Sequence, residues 1–428
     1  MMKTRNRIST VLILGVLAVP AGLVSNAAVE EIGRQATGAS PKAGGQDLYG
    51  PYRVVADWPK PLSDSDHSHD GWTWGSTAGV FAESPDRVWI AQRGELPLPP
   101  GARPWTPYGL LGRTATGTVS TGVPDYPEEE DRGWQRRMRH VIFAVDRNGK
   151  VVEEFLHLDK LFDDPRGRGP HQIKISPYDP DRHLWVIDDL LHVIYKISQK
   201  GEVVMTLGQK GVRGRGPNTF SRPTNVGFLP DGTFFITDGY TGTRVAKYTA
   251  DGKFVKDWGM APEDPDNPGP NEWWAVHSIG ITEDRRLFVM DRNNQRVQVF
   301  DENGKFLTLW YLREDHWPRQ MRSRPYTHDI YRDRKDGREY LWVADGGTSR
   351  VLKYDLDGKF MYGWGQPGGE PGRFAGPHQM SSDSEGNLYI AEVFNGRVTK
   401  FAPKADADPS LVVGVQRPLQ GAAGTKND

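Results

Sequence analysis

Residues 222–259, RPTNVGFLPDGTFFITDGYTGTRVAKYTADGKFVKDWG, are the clearest copy of a unit that the rest of the chain repeats. Runs of β-branched and aromatic residues alternate there with the turn sequences PDG and ADG, a pattern typical of an antiparallel meander. The pattern predicts four short strands, at residues 226–228, 233–237, 244–248 and 253–258. One such meander cannot bury both of its faces, so it requires neighbours of its own kind.

The second strand of this unit recurs six times. The copies are VWIAQR (88–93), LWVIDD (184–189), FFITDG (234–239), LFVMDR (287–292), LWVADG (341–346) and LYIAEV (388–393). From the second copy onward their starts are 50, 53, 54 and 47 residues apart. A period of about fifty residues with four strands per repeat is typical of a β-propeller.

The ends of the repeat region predict how the ring closes. The last repeat stops after its third strand, residues 397–401, whereas residues 52–58 (YRVVADW) resemble a fourth strand that has no repeat of its own. An N-terminal strand that completes the last blade would leave no open sheet edge. We therefore predict an all-β fold, a six-bladed β-propeller over residues 50–403. Its first repeat carries an insertion at residues 96–139, interpreted as a lid or partner surface, and a polar tail covers residues 404–428.

The N-terminus has the pattern of a Sec-type signal peptide. Basic residues precede an apolar run (residues 11–24), and the small residues SNA (25–27) follow it. We predict cleavage after residue 27, a flexible leader over residues 28–49, and a periplasmic or secreted protein. An N-terminal membrane anchor is the alternative, for which the apolar run is short.

Composition narrows the classes of function. The 428 residues carry a net charge of −1, so nothing indicates a nucleic-acid or membrane-surface partner after signal cleavage. The chain has no cysteine, which excludes disulfides, thiolate metal ligands and a lipoprotein anchor. Its 49 glycines, 32 prolines and 14 tryptophans fit a turn-rich, aromatic-packed β structure, which we expect to be a monomer.

Histidines recur near the start of the innermost strands. When these strands are aligned on a central aliphatic residue, the position two residues upstream holds Ala78, His171, Thr224, His277, His328 and His378. His171, His277 and His378 fall on alternate blades, a third of a turn apart. There they would converge on the central channel and form an open, catalytic-type zinc site. Hydrogen-bonding histidines at blade ends are the alternative. The alignment leaves His328 as either an orienting group beside Asp329 or a fourth donor.

A second ring of residues follows the second strands and should share the same channel mouth: Arg93, Asp189, Gly239 with Tyr240, Arg292, Gly346 and Val393. An arginine holds a carboxylate well, and a tyrosine next to a divalent cation loses its proton more readily than in water. This ring indicates a small anionic or peptide-like substrate. Hydrogen bonding between blades is the alternative role.

Over about residues 71–401 these motifs resemble those of peptidyl-α-hydroxyglycine α-amidating lyase, a six-bladed propeller of the NHL-repeat type. The matching segments are PHQI (170–173), TDGY (237–240), TR (243–244), AVHSI (275–279) and PH (377–378). The resemblance implies three zinc ligands: His171, His277 and His378. It also implies Tyr240 as the base and Arg93 with Arg292 as carboxylate anchors, in a reaction that cleaves an N-acyl carbinolamide to an amide and glyoxylate.

The family also carries a structural calcium ion, for which the resemblance implies the backbone carbonyls of Val80 and Ile173. The family's aspartate after the last histidine is Gln379 here, and an amide is a weaker ligand for a hard cation. The family's disulfides and its partner monooxygenase have no counterpart in this chain.

Three hypotheses follow from these patterns. The first is an exported zinc-dependent lyase of the amidating-lyase type. The second is a non-catalytic NHL propeller that binds a peptide or glycan through the aromatic-rich insertion. The third is a metal-dependent hydrolase of the gluconolactonase kind, which would need carboxylates in its site and has only Asp189 and Glu392 as candidates.

Overall fold

The computed structural model describes residues 48–56, 58–61, 71–97, 137–312 and 325–420. The predicted signal peptide, nearly all of the leader, the centre of the insertion and the last eight residues lie outside the described residues. Among the described residues, no helix is both long and apolar enough to cross a membrane.

Apart from one 3-10 turn and one short α-helix, the regular structure in these ranges is β. Before and within the first blade the strands are β1 (Tyr52–Val54), β2 (Trp72–Trp74), β3 (Thr77–Ser84), β4 (Arg87–Gln92), β5 (Glu95–Pro97), β6 (Ile142–Val145) and β7 (Val151–Glu154). The 3-10 turn (Leu156–Leu158) and α1 (Asp159–Phe162) lead to the second blade, which contains β8 (Gln172–Ile175), β9 (Leu184–Asp188), β10 (Val193–Ile197) and β11 (Val203–Gly208).

The other four blades follow in the same order. The third has β12 (Pro223–Phe228), β13 (Phe234–Asp238), β14 (Arg244–Tyr248) and β15 (Phe254–Trp258). The fourth has β16 (Val276–Ile281), β17 (Leu287–Asp291), β18 (Arg296–Phe300) and β19 (Phe306–Tyr311). The fifth has β20 (Pro325–Arg332), β21 (Glu339–Asp345), β22 (Arg350–Tyr354) and β23 (Phe360–Trp364), and the sixth has β24 (Pro377–Ser382), β25 (Leu388–Glu392) and β26 (Arg397–Pro403).

Each blade is a four-stranded antiparallel sheet, and the sixth is completed by the N-terminal strand. Its strand order is β1-β26-β25-β24, with Tyr52 opposite Pro403 and Val54 opposite Phe401. The innermost strands β3, β8, β12, β16, β20 and β24 each contact the next, and β24 contacts β3. The prediction of a six-bladed propeller closed by an N-terminal strand is therefore confirmed.

Aromatic side chains fill the interfaces between blades. Trp185 of blade 2 lies 4.7 Å from Phe234 of blade 3, whose ring stacks on Tyr248 at 5.3 Å. On the closing blade, the buried Tyr52 ring packs against Trp364 of blade 5 at 5.5 Å. Each such ring buries a large apolar surface, so the closed ring is stabilised mainly by burial between blades.

The predicted insertion leaves the first blade and returns to it at one point. Its first residues belong to β5, which pairs with β2 in a separate two-stranded sheet. Glu95 and Arg137 exchange backbone hydrogen bonds of 2.8 and 3.1 Å. The described ends of the insertion are thus held side by side, two residues after Arg93.

Residues 411–420, here called the C-terminal strap, pack on the propeller more closely than the prediction of a polar tail anticipated. Val413 is fully buried, and its backbone N–H donates to the Tyr52 hydroxyl at 2.7 Å. Arg332 of blade 5 and Val415 exchange backbone hydrogen bonds, and the Gln420 N–H donates to the Pro177 carbonyl of blade 2. With the far ends of the inner strands, the strap encloses a cavity of about 480 Å³.

We expect removal of residues 411–428 to lower the free energy of unfolding by about 3 kcal/mol, because it exposes the apolar surface that Val412 and Val413 cover. Urea denaturation followed by tryptophan fluorescence measures the change. Removal of residues 421–428 alone is the control and should leave the denaturation midpoint unchanged. Equal midpoints for the two truncations would show that the strap does not stabilise the ring.

Candidate active site

Three histidines from alternate blades meet in the central channel. His171 directly precedes β8, His277 lies in β16 and His378 in β24, and all three are buried. One ligand atom from each lies within 4.8 Å of the other two, and the His378 and His171 Nε2 atoms are 3.2 Å apart. The structure therefore brings together the three residues that the sequence analysis placed on one metal ion.

Each imidazole is oriented by the backbone of the next blade. The Nδ1 of His171 lies 2.9 Å from the Thr224 carbonyl oxygen, and the Nδ1 of His378 lies 2.8 Å from that of Ala78. The Nδ1 of His277 makes the same contact with the Tyr326 carbonyl. Because a carbonyl only accepts, each Nδ1 must carry the proton, which leaves the Nε2 lone pairs pointing at one another.

This arrangement fits a divalent cation. Burial lowers the pKa values of His171 and His277 well below the usual value and that of His378 to about 3, so all three rings are neutral at neutral pH. Three converging lone pairs repel one another unless a proton or a cation lies between them. Three neutral imidazoles with one open position are the ligand set of a catalytic zinc site.

In every blade except the second, a local bulge places the side chain that faces the channel; in the second blade His171 directly precedes β8. The strand register shifts at the start of β3, β12, β16, β20 and β24, so one or two residues there lack a partner in the second strand. The unpaired residues include Ala78, Thr224, His277, Tyr326 and His378. A bulge turns its extra residue away from the sheet. The residues at this position therefore form a ring around the axis of the central channel.

The structure corrects the position of His328. In β20 the residue at the bulge is Tyr326, whereas His328 pairs with Val343 as Ile279 pairs with Val289 in blade 4. His328 therefore occupies the place of the aligned aliphatic residue. Its Nδ1 bonds to the Ser278 hydroxyl at 2.6 Å and its Nε2 to the Phe288 carbonyl at 2.8 Å. Both ring nitrogens are engaged between blades 4 and 5, so it is neither a fourth donor nor a partner of the site histidines.

Tyr240 lies directly against the histidines. Its hydroxyl is 2.9 Å from the Nε2 of His277 and 3.1 Å from that of His171. The preceding Gly239 permits this approach, since a Cβ atom there would lie 1.4 Å from the Val276 carbonyl oxygen. The Arg222 carbonyl accepts hydrogen bonds from the backbone N–H groups of Gly239 and Tyr240, which fixes the loop.

The two predicted carboxylate anchors border the same space. Arg93 is 3% exposed, and its Nε donates to the Pro170 carbonyl at 3.3 Å. Burial and then the nearby Arg168 lower its pKa to about 9. Arg292 lies 4.3 Å from the Tyr326 ring centroid and 5.5 Å from that of Tyr240, and its buried Nε has no hydrogen-bond partner. Within the described ranges neither guanidinium is paired with a carboxylate, which suits a site that binds an anion.

Two further arginines, Arg168 and Arg222, lie at the site, although the sequence analysis did not identify them. The buried Asp189 carboxylate accepts two hydrogen bonds from Arg168, of 3.0 and 2.9 Å, and two from Arg222, of 3.0 and 2.6 Å. Burial alone would raise the pKa of Asp189, but the two arginines outweigh it and hold the pKa well below its usual value. The guanidinium of Arg222 lies 4.5 Å from the Tyr240 ring centroid and that of Arg168 5.4 Å. One sequence signal could have revealed them: each arginine stands shortly before the channel-facing residue of its blade, His171 for Arg168 and Thr224 for Arg222.

The remaining side of the site is apolar. Ala78, Tyr326 and Val393 form a buried cluster, here called the apolar wall. Gly346 belongs to the same side, since a Cβ atom there would lie 2.2 Å from the Tyr326 ring. Of the predicted second ring, Gly346 and Val393 therefore shape the space and offer no charged or hydroxyl group to a substrate.

The predicted calcium position does not fit a cation. The Gln379 amide lies between Val80 and Ile173: its oxygen accepts from both backbone N–H groups at 3.3 Å, and its NH₂ group donates to the Ile173 carbonyl at 2.7 Å. Donor hydrogens thus face the point where a calcium ion would require oxygen ligands. In this chain a glutamine amide joins blades 1, 2 and 6 at that point.

Comparison with known proteins gives the chain's relatives. It is 34% identical over 165 residues to a probable peptidyl-α-hydroxyglycine α-amidating lyase of Caenorhabditis elegans, a match that covers 37% of this chain and 42% of the relative. It is 28% identical over 256 residues to peptidyl-glycine α-amidating monooxygenase A of Xenopus laevis, covering 55% of this chain and 24% of the relative. No family model matches the chain.

The matches to such amidating enzymes span 23 to 46% of the relatives' own lengths. Human NHL repeat-containing protein 3 is 27% identical over 264 residues, which cover 56% of this chain and 69% of that protein. The resemblance to the amidating lyases and to NHL-repeat propellers is therefore confirmed.

Similar solved structures include a streptogramin B lyase, with a TM-score of 0.45 and 13% identity over 77% of this chain and 94% of that one. A gluconolactonase from Xanthomonas campestris has a TM-score of 0.47 and 11% identity over 86% of this chain and 99% of that one.

We expect Gln379→Ala to lower the free energy of unfolding by about 2 kcal/mol, because it removes the partners of two N–H groups and a carbonyl in a buried position. Urea denaturation checks this. Millimolar calcium should leave the midpoint of the parent protein unchanged. A midpoint that rises with calcium in the parent protein would show that a cation, and not the amide, bridges these blades.

Proposed function

We propose that this protein is an exported, zinc-dependent lyase that cleaves an N-acyl-α-hydroxyglycine to an amide and glyoxylate. The observation that carries the proposal is the set of three inward-facing Nε2 atoms with the Tyr240 hydroxyl against two of them. The similarity to amidating lyases supports the reaction class, and the sequence pattern of the first 27 residues supports export.

His171, His277 and His378 would hold the metal, each through Nε2. A divalent ion there acts as a Lewis acid that favours loss of the proton from a bound hydroxyl. The carbonyls that accept from the three Nδ1–H groups keep the rings oriented before any substrate arrives, so little reorganisation is needed at the moment of reaction.

Arg93 and Arg292 would bind the substrate carboxylate. Within the described ranges neither cation is paired with a carboxylate, and a charge as buried as that of Arg93 is costly to leave without a counter-ion. A carboxylate placed between them orients the α-carbon, with its hydroxyl group, toward the histidines and Tyr240. Holding the reacting atoms in place in this way accounts for a large part of enzymatic rate enhancement.

Tyr240 would move the proton. In its ionised form it accepts the proton of the substrate hydroxyl; the C–O bond becomes the carbonyl of glyoxylate as the bond from the α-carbon to nitrogen breaks. The electron pair of that bond stays on nitrogen, which takes a proton from Tyr240 to give the primary amide. One proton leaves oxygen and one reaches nitrogen, so the tyrosine ends the cycle as it began.

The contacts of the acidic residues disfavour the hydrolase alternative. Asp189 is saturated by Arg168 and Arg222, and Glu392 accepts from Asn395, Arg397 and Thr399. Neither carboxylate is free to bind a metal or activate water. A non-catalytic NHL propeller remains the second candidate, supported by the similarity to NHL repeat-containing protein 3, and the experiments below separate it from the lyase.

We expect protein purified without chelator to contain one zinc ion per chain and to release glyoxylate from α-hydroxyhippurate. His171→Ala should lose the metal and at least about 99% of the activity, because two imidazoles hold zinc far more weakly than three. His328→Gln is the matched control, a buried histidine outside the site, and should keep the metal. Folded protein without stoichiometric metal would contradict the proposal.

We expect Tyr240→Phe to keep the zinc and to lower kcat by about 10²- to 10⁴-fold, the usual contribution of a positioned acid–base group. Steady-state glyoxylate assays and metal analysis on the same sample measure both quantities. Tyr195→Phe, a change of the same kind in blade 2 away from the site, should leave kcat unchanged. If Tyr240→Phe keeps full kcat with zinc bound, another group transfers the proton.

A further inference from the structure

The site holds more positive charge than one carboxylate needs. Arg168, Arg222 and Arg292 lie within 5.5 Å of the Tyr240 ring centroid, and Arg93 borders them. Among the described residues, the carboxylate of Asp189 pairs with two of these cations, Arg168 and Arg222, whereas neither Arg93 nor Arg292 is paired with a carboxylate. The neighbouring Asp188 is only partly ionised at neutral pH, because burial and then Asp189 raise its pKa to about 7. The carboxylate of an α-hydroxyglycine would neutralise only part of the remaining charge.

The excess lies on the blade 3 side of Tyr240. Arg222 shares Asp189 with Arg168 and so has only part of a counter-ion. Its side chain is 20% exposed, which makes it the member of the pair that a ligand can reach. Unlike Arg93, it sits at the edge of the site, where the part of a substrate that extends beyond the reacting carbon would lie.

Further out on the same side stands Arg213, which is exposed and has neutral partners: its Nε donates to the Ser221 hydroxyl at 2.8 Å, and an Nη donates to the Thr241 carbonyl. Arg213, Ser221 and Thr241 line a cleft of about 390 Å³. Ser221 and Thr241, which Arg213 contacts, are the chain neighbours of Arg222 and Tyr240, so Arg213 lies next to the segments that carry these two site residues. We call Arg213 and Arg222 the basic rim.

The apolar wall, by contrast, has one hydroxyl donor, that of Tyr326, and the cation that lies against it, Arg292, is the one assigned to the first carboxylate. A bound acyl group therefore meets two unlike surfaces, one apolar and one basic. Of these two surfaces, only the basic rim would be stabilised by pairing with a second negative charge on the substrate.

We propose that the acyl part of the substrate is itself anionic, with a carboxylate a few bonds from the amide that binds the basic rim. The substrate is then a dianion: one carboxylate on Arg93 and Arg292 and the second on Arg222 and Arg213. This inference rests on the proposed lyase activity and specifies its substrate class.

The experiment compares N-succinyl-α-hydroxyglycine with N-succinamyl-α-hydroxyglycine, which has the same shape and a neutral amide in place of the second carboxylate. We expect kcat/KM for glyoxylate release to be at least about tenfold higher for the succinyl compound, the usual size of one charge-assisted hydrogen bond. The difference should appear mainly in KM and should shrink as salt is added.

Arg222→Gln and the double change Arg213→Gln with Arg222→Gln should bring the succinyl-to-succinamyl ratio close to one, whatever they do to either substrate alone. Arg215→Gln is the matched control: it lies on the same loop, but its guanidinium already faces Asp257 at 3.4 Å. That variant should keep the ratio of the parent protein.

The outcomes separate the two proposals. Glyoxylate from both compounds at equal kcat/KM keeps the lyase and overturns the acidic-substrate inference. A preference that survives the double change also overturns it, because the basic rim is then not its cause. No glyoxylate from either compound, or from α-hydroxyhippurate, with metal bound removes the lyase and this inference together.

Discussion

The site depends on one type of contact: the hydrogen bond from a histidine Nδ1 to a carbonyl of the next blade. His378 of the last blade donates to Ala78 of the first, so the pair of blades that closes the ring also orients one of the three imidazoles. The same contact joins His171 to Thr224 and His277 to Tyr326. Because each proton is committed to the outer nitrogen, the inner lone pairs converge only while the ring is closed.

The charged residues around this centre lie on two kinds of segment: the loop that follows the second strand of a blade and the segment that precedes its first strand. Blades 1 to 4 contribute arginines, while Tyr326 of blade 5 and Val393 of blade 6 form the apolar wall together with Ala78 of blade 1. Asp189 holds Arg168 and Arg222 in place without neutralising both, which keeps the space around Tyr240 electropositive. A neutral metal-binding set inside a cationic shell suits an anionic substrate that brings a hydroxyl group to the metal.

The repeat period, the strand pattern and the unpaired N-terminal strand sufficed to predict the fold, because hydrophobic alternation and turn residues are local signals. The three converging histidines were also predictable from their regular spacing. The bulges were not, since a one-residue bulge leaves no local mark; the alignment therefore placed His328 where Tyr326 stands. Arg168 and Arg222 escaped notice because their role depends on a shared carboxylate from another loop. The strap was missed because its burial rests on few apolar residues, among them Val412 and Val413.

X-ray absorption spectroscopy at the zinc edge of the purified mature protein tests the central claim most directly. The account predicts one zinc ion per chain with three imidazole nitrogens at about 2.0 to 2.1 Å and a light-atom ligand in the remaining position. A spectrum with fewer than three imidazoles, or one that persists unchanged after His171, His277 and His378 are all replaced by alanine, would place the metal elsewhere and contradict it.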